Sequence, residues 1–545
     1  MARVFWDGER IVATAGKSNY ERLINMAEKY QAEPLPSVNG YAFKRTVQIV
    51  EDLYTLEQTA FDPSFEELIE KINQAKRNKE NEIDRLNLPE ILYPFQKETI
   101  NKVVRWEHNA LIAGDMGTGK TCMAALILNR LEGAYPAIIV CQASLKLNWQ
   151  IEINTWTPGV KTYIIEGTKS YKDPYIVGQA KQADVIIINY DILGEDNEEL
   201  QKAEKARIAK AKKENQKYRK KFIPISGWVD VINEKIKPHA IVCDECQKIE
   251  TSTAIRTRGV MQMSADNGVL KLFLSGTPFD TRVQQFYTAC HIMSPELFPK
   301  EWDFKQRYCG PYFDGYHWRY KGVSNLDELH RKLSNFMIRL RKEDVLPQLP
   351  PKIKKPIYFE MDSKSRQLYE QMEDELLAQK DGLHQFAYLA KMKEVLLEIK
   401  VNIVIQFLKD MLEVEDKLVT FTYHDAMYET LMNTFPKISV GINGKVPSVK
   451  RQTAKEKFQN DPDIKLFIGQ IESASTGITL TASHIVIFTE WGKTPGEMEQ
   501  ACDRIHRIGQ TADKCFMYYL IIKDTIDEAP LESLGSHFEI GRAHV

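Results

Sequence analysis

The chain has 545 residues, and 73 Lys and Arg against 75 Asp and Glu leave a formal charge of −2. Hydrophobic residues make up 43% and charged residues 27%, which supplies a sizeable core and excludes a disordered, collagen-like or disulfide-stapled chain. No apolar run approaches the roughly 18–20 residues of a membrane span, and the first ten residues carry charge too early to read as a secretory signal. The length suggests three or four structural units. Eight scattered cysteines suit a reducing compartment, a bacterial or phage-host cytoplasm. The charge is unevenly spread: residues 202–221 carry ten Lys/Arg and two Glu, a local +8, leaving −10 elsewhere. Whole-chain charge therefore does not decide between nucleic-acid and other partners.

Residues 1–88 have no chemical motif and end in an amphipathic pattern, Phe65, Leu68, Ile69 and Ile72, which predicts a helix leading to a charged linker. They read as an accessory region, either a separate module contacting DNA or protein partners or a packing appendage. Residues 89–300 alternate helical patterns with strand-like runs at Ala110–Ala113, Ala137–Cys141, Val185–Asn189, Ala240–Cys243 and Leu270–Leu274. Such alternation predicts an α/β lobe with a parallel sheet. Residues 301–410 read as a helical insertion and interlobe linker with a proline-rich joint, Leu346–Pro351. Strand-like runs return in 411–538, at Leu418–Thr422, Ile438–Val440, Lys465–Ile468, His484–Thr489 and Cys515–Ile522. The last residues, 539–545, read as a non-native tail.

Gly114-Asp-Met-Gly-Thr-Gly-Lys120-Thr121 follows the first strand and opens a helix, the G-x-x-x-x-G-K-[ST] spacing of a phosphate-binding loop. Gly114, Gly117 and Gly119 permit close backbone approach, with Thr118 between them; Lys120 would reach the β- and γ-phosphates of ATP and Thr121 would ligate Mg²⁺. The strand Ala240–Cys243 ends in Asp244-Glu245-Cys246-Gln247. Asp244 suits Mg²⁺ and Glu245 suits a base or water-positioning role. Cys243 and Cys246 have C-x-x-C spacing, but with no second pair they read as bystanders to the acidic pair. Further on, Arg504 and Arg507 stand at i and i+3, which predicts one helix face able to reach a γ-phosphate; alone, the segment also reads as an exposed basic helix.

These motifs in this order resemble the Swi/Snf-type ATPases of superfamily 2, from about residue 90 to 528. The resemblance implies two RecA-like lobes joined by the middle segment. It makes Gln96, in Leu92-Tyr-Pro-Phe-Gln96, the adenine-recognising amide. Gln142–Trp149 and Asn189-Tyr190 resemble DNA-strand segments, which implies contacts from Ser144, Lys146, Trp149, Asn189 and Tyr190. Leu274-Ser-Gly-Thr-Pro278 resembles the motif coupling hydrolysis to lobe movement. Ser473–Thr481 resembles the motif before the arginines, implying a DNA contact from Ser473 and a place for Gly477 at the nucleotide, although Ser475 and Thr476 stand where many relatives have glycine. Gln500–Gln510 is similar to the arginine-finger motif, which adds Gln500 to the nucleotide site. Phe304–Cys309, Ser324–Leu329 and Arg341–Pro350 are similar to the annealing-helicase branch.

The resemblance implies ATP and Mg²⁺ as cofactors and movement along double-stranded or branched DNA without strand separation. A strand-separating DNA or RNA helicase and a non-hydrolysing, nucleotide-gated DNA scaffold remain as alternatives. The basic run 202–221 reads as a solvated helical insertion or an added phosphate clamp.

Overall fold

The computed structural model describes residues 2–6, 10–14, 23–24, 26–27, 32–35, 40–43, 53, 59–61, 63–67, 69–70 and 88–530, apart from 107, 215–221, 267, 277–282, 321, 379–381 and 475–476. The 539–545 tail, Thr277-Pro278, Ser475-Thr476 and part of the basic run lie outside these residues. The chain divides into a small unit, Met1–Trp106, and a large one, Glu107–Val545.

In the small unit, β1 (Ala2–Trp6), β2 (Ile11–Thr14), β3 (Glu33–Leu35), β4 (Gly40–Phe43) and β5 (Thr59–Phe61) form one sheet in the order β3-β4-β2-β1-β5. Only the β1–β5 pair is parallel. Val4, Ile11, Ala13, Phe43 and Phe65 bury a small core. Phe65 and Ile69 of the amphipathic pattern pack here, whereas Leu68 and Ile72 lie outside the described residues. Helix α1 (Pro94–Trp106) starts on a proline, whose missing N–H costs nothing in a first turn.

The large unit carries two parallel sheets. The first contains β6 (Ala110–Gly114), β7 (Ala137–Cys141), β8 (Thr162–Ile164) and β9 (Val185–Asn189). A small antiparallel pair, β10 (Glu195–Asp196) and β11 (Ile225–Ser226), stands apart from it. The sheet continues with β12 (Ala240–Cys243) and β13 (Leu270–Ser275). Every residue of β6, β7, β9 and β12 is buried, as expected for parallel strands covered on both faces. Helices α2 (Lys120–Arg130) and α3 (Lys146–Trp156) follow β6 and β7, and α4 (Glu198–Lys213) carries part of the basic run. Exposed i,i+4 pairs such as Lys202–Glu198 and Lys210–Glu214 solvate α4.

Residues 301–410 are divided between the lobes and are not one helical insertion. They hold a hairpin, β14 (Pro311–Phe313) and β15 (Trp318–Tyr320), and then β16 (Met337–Leu340), which pairs in parallel with β6. The first sheet thus runs β16-β6-β13-β12-β7-β9-β8. β17 (Lys352–Phe359) leaves the proline joint and pairs along its whole length with β22 (Cys515–Ile522) of the second sheet. Helices α5 (Ser363–Ala378) and α6 (Gly382–Val414) follow. With β18 (Leu418–Thr422), β19 (Ser439–Ile442), β20 (Leu466–Gln470) and β21 (Ile485–Phe488), the second sheet runs β17-β22-β21-β18-β20-β19.

Alternation along these strands sends Val486 and Phe488 to one face and Ile485 and Ile487 to the other. Val404 and Leu408 of α6 cover that second face, so the end of the predicted insertion is structural cladding of the second lobe. Helices α7 (Ser448–Asn460) and α8 (Pro495–Cys502) complete what bears on the site.

Candidate active site between the two lobes

Gly114 ends β6, and Asp115–Gly119 turns the chain into α2 at Lys120. Gly117 and Gly119 adopt φ of +83° and +81°, a region that strains any residue with a Cβ. Even Gly114 has no room to spare, because a Cβ there would lie 2.7 Å from Thr118 Oγ1. The Thr118 hydroxyl donates to Asp115 O (2.9 Å), and Lys120 Nζ folds onto the loop, donating to Gly114 O at 2.7 Å and Asp115 O at 3.3 Å. No side chain caps α2, so its first-turn N–H groups and positive dipole end are left for an anion. Burial pulls the Lys120 ammonium below its usual range, against the attraction of Glu245 and Asp244.

The acidic pair emerges from β12. Trp149 Nε1 of α3 donates to Asp244 Oδ2 at 2.8 Å, and the Tyr190 hydroxyl donates to Asp244 O at 2.7 Å. Burial first, and Glu245 second, push the Asp244 carboxyl up to about 7. Glu245 sits at φ +51°, a left-handed conformation costing a non-glycine residue about 1–3 kcal/mol. Its Oε2 accepts from Gln247 Nε2 (2.8 Å), and Gln247 Oε1 accepts from the Ser275 hydroxyl (2.8 Å). The end of β13 is thereby tied to the acidic pair. Gln247 and Ser275 had no assigned role from sequence; their motifs are visible there, but the contact between them spans 28 positions. Cys243 and Cys246 are buried, and loss of water raises both thiols well above their usual range.

Arg504 and Arg507 do not share a helix face, because α8 ends at Cys502 and both arginines lie in the turns that follow. Tertiary bonds compete with helix continuation: Arg504 O accepts from Leu480 N (2.9 Å), and Gln510 Nε2 donates to Ser483 O (2.9 Å). Gly509 closes the turn at φ +97°. The i, i+3 prediction nonetheless brings the guanidinium groups together, since Nη1 of each donates to Ile478 O, at 3.4 and 3.3 Å. Burial and the neighbouring Arg507 lower Arg504 to about 10. The two halves of the site meet directly: a Cβ added to Gly117 would lie 2.7 Å from Arg507 Cβ. Gly477, at φ +72°, is crossed by the first lobe's Leu145 side chain, with which any Cβ would collide. Gln500 O accepts from Arg504 Nε at 3.0 Å. Gln96 belongs to the small unit, where its Oε1 accepts from Tyr93 N at 3.0 Å.

The residues expected at DNA separate into two sets. A groove of about 550 Å³ is lined by Ser144, Lys146 and Tyr190 of the first lobe and Ser473 and Arg451 of the second. Lys146 Nζ lies 2.8 Å from Glu166 Oε2, and all three donor nitrogens of Arg451 are taken by Val446 O, Ser473 O and Asn443 O. Trp149 is a correction: it is fully buried with its indole on Asp244, so it orients the carboxylate and presents nothing to DNA. Tyr190 touches the groove but turns its hydroxyl inward, and Asn189 is buried beside Asp191.

Comparison with known proteins agrees with this arrangement of motifs. The SNF2-related domain model matches residues 50–415 and the helicase conserved C-terminal domain model matches residues 399–509. The chain is similar to the DNA annealing helicase and endonuclease ZRANB3 of Bos taurus, 28% identical over 450 residues that cover 80% of this chain and 39% of that protein. It is also 27% identical to the SWI/SNF-related matrix-associated actin-dependent regulator of chromatin subfamily A-like protein 1 of Xenopus laevis, over 86% of this chain and 45% of that one. The chain thus spans less than half the length of these relatives. Among solved structures, the Sulfolobus solfataricus SWI2/SNF2 ATPase core in complex with dsDNA is 20% identical over 83% of this chain and 92% of that one, with a TM-score of 0.37. With the SNF2-related model spanning well over half of its residues, this chain belongs to the SNF2-related family of superfamily 2.

Proposed function

We propose that the chain hydrolyses ATP in the cleft between its lobes and uses opening and closing of that cleft to move along double-stranded or branched DNA. The observation that carries the reading is the meeting of the Gly117 turn with Arg507, which sets Lys120 and the acidic pair opposite two arginines. The residues fit a nucleotide with Mg²⁺: the α2 N-terminus is uncapped, and the Asp244 carboxylate lies within the electrostatic reach of Lys120. Thr121 and Asp244 would hold the ion, which supplies charge neutralisation at the phosphates. Lys120 leaves the loop carbonyls for the β- and γ-phosphates, and Glu245 orients a water through the oxygen it also offers Gln247. Arg504 and Arg507 trade the Ile478 carbonyl for charge developing on the transferred phosphoryl group.

Movement follows from the groove containing Ser144 and Lys146 on one lobe and Ser473 on the other. A change in lobe separation shifts one grip on the phosphate backbone relative to the other, and such grips are sequence-independent and salt-sensitive. A branched DNA substrate is in keeping with the DNA annealing helicase activity for which ZRANB3 is named. The test is ATPase rate against single-stranded, duplex, forked and RNA ligands. Strongest stimulation by duplex or forked DNA is expected. Stimulation by RNA alone overturns the substrate, and no hydrolysis with any ligand overturns the enzyme.

A further inference from the structure

The hinge between the lobes is fastened by charges to which the nucleotide site gives no role. On the first-lobe side, Asp115 of the phosphate loop accepts from Arg339 Nη2 (2.7 Å) and from the backbone N–H of Lys342 (2.9 Å), while its own N–H donates to Leu340 O (2.9 Å). The Lys342 side chain then crosses to the second lobe. Its Nζ donates to Asp503 Oδ1 at 2.7 Å and to His506 O at 2.6 Å, the residues immediately before Arg504 and Arg507. The far end of the joint meets the same carboxylate, because Lys352 Nζ donates to Asp503 Oδ1 at 2.6 Å. Between these lysines run Pro347, Pro350 and Pro351, which stiffen the short connection. His506 Nε2 donates to Pro350 O at 2.7 Å, closing the ring.

We propose that Lys342 and Asp503 are positioning residues, forming a joint across the hinge that holds Arg504 and Arg507 in register with the phosphate loop. Geometry separates this joint from ordinary packing. Each lobe has its own apolar core, and Lys342 belongs to neither. The Lys342 and Asp503 side chains are 11% and 7% exposed, so water cannot readily replace the bridge. Burial would raise the Asp503 carboxyl, but Lys352 and Lys342 outweigh it and hold the group ionised. Asp115, Lys342 and Asp503 thus connect the phosphate loop to the arginine turn without using Lys120 or the acidic pair. A closed cleft would arrive with its arginines already aimed.

The inference rests on the ATP-hydrolysis reading, and the tests keep the two apart. Lys342→Met retains the apolar stem and leaves Asp503 paired with Lys352. Its expected effect is a fall in kcat of about tenfold to a hundredfold, with KM for ATP changed less than about threefold. Lys342→Arg is expected to restore most of the rate. In an Arg507→Ala background Lys342→Met should cost less than in the unaltered chain, because one of the two arginines it positions is already gone. An independent readout needs no hydrolysis. Spin labels on Tyr175→Cys and Val449→Cys, exposed sites on opposite lobes, report interlobe distance, and the eight native cysteines are all buried. Lys342→Met is expected to broaden that distance distribution and Lys342→Arg to leave it narrow. Unchanged distances, or losses additive with Arg507→Ala, overturn the joint. Absence of hydrolysis by the unaltered chain overturns the ATPase reading alone.

Discussion

The phosphate loop and the arginine turn face one another, yet they are built in opposite ways. The part of the loop that would face the nucleotide is set locally: its bonds run from Thr118 to Asp115 and from Lys120 to Gly114, within six positions, and its glycines supply the positive φ, while Asp115 ties the loop's outer side to Arg339, Leu340 and Lys342. The arginine turn is long-range: Arg504 and Arg507 are fixed through Ile478, Leu480 and the lysines at 342 and 352. A local device can be written in eight residues, whereas a long-range one depends on how two lobes fold. Mutations in the loop should therefore remove chemistry at once, and those around the turn should misalign it by degrees.

The largest effect is expected from Lys120→Ala, which removes the cation from the loop. Both tight nucleotide binding and hydrolysis should disappear, measured by fluorescent-nucleotide titration and phosphate release. Full activity in this variant breaks the site assignment. For Arg507→Ala the expectation is a loss of about a thousandfold in turnover with ATP still bound, because the finger acts on charge developed late. Weakened binding with normal turnover of bound ATP would make the turn a ligand clamp and erase the contrast with the loop.

A smaller effect tests the floor beneath both. Trp149→Phe leaves an aromatic ring but takes the N–H from Asp244, a hydrogen bond to a charged group worth about 1.5–3 kcal/mol. A fall in kcat of roughly tenfold is expected, with a lowered Tm and little change in DNA affinity. Loss of DNA affinity with normal kcat would instead return Trp149 to the nucleic-acid surface.

The same division between local and long-range explains what the sequence disclosed. The interior strands, such as Ala137–Cys141 and Ile485–Phe488, are continuous apolar runs and were legible as a parallel sheet. Within the two lobe sheets, the strands with no legible signal, β8, β16 and β17, are sheet edges. β17 reads Lys-Ile-Lys-Lys-Pro-Ile-Tyr-Phe, with lysines and a proline tolerable only where one side of the strand has no partner. At the site, the glycines, Lys120 and the acidic pair were legible because spacing alone sets their geometry. The arginines were identified but placed on a helix, since nothing near Cys502 announces that Leu480 will take the Arg504 carbonyl. Trp149 was assigned to DNA because its motif is, while its indole turns the other way to a carboxylate 95 positions on.

The smallest effect concerns pH, and it sharpens the comparison by probing the long-range side alone. His506 is neutral in the folded chain, with the proton on Nε2 to meet Pro350 O. Burial first, then Lys352 and Lys342, lower its pKa to about 4 from an ordinary 6.5. A depressed folded value means that the unfolded chain gains the proton first as pH falls. His506 therefore contributes stability in full above pH 6.5, and that contribution declines through the window down to about 4. Between pH 7 and 5 the loss amounts to at most about 2 kcal/mol. His506→Gln retains a donor for Pro350 O and cannot titrate, so its urea midpoint should fall less over this interval than that of the unaltered chain. Equal losses in both proteins would mean that the imidazole titrates in the folded chain as it does in the unfolded one. The arginine turn would then be held by Lys342 and Lys352 without help from a neutral histidine.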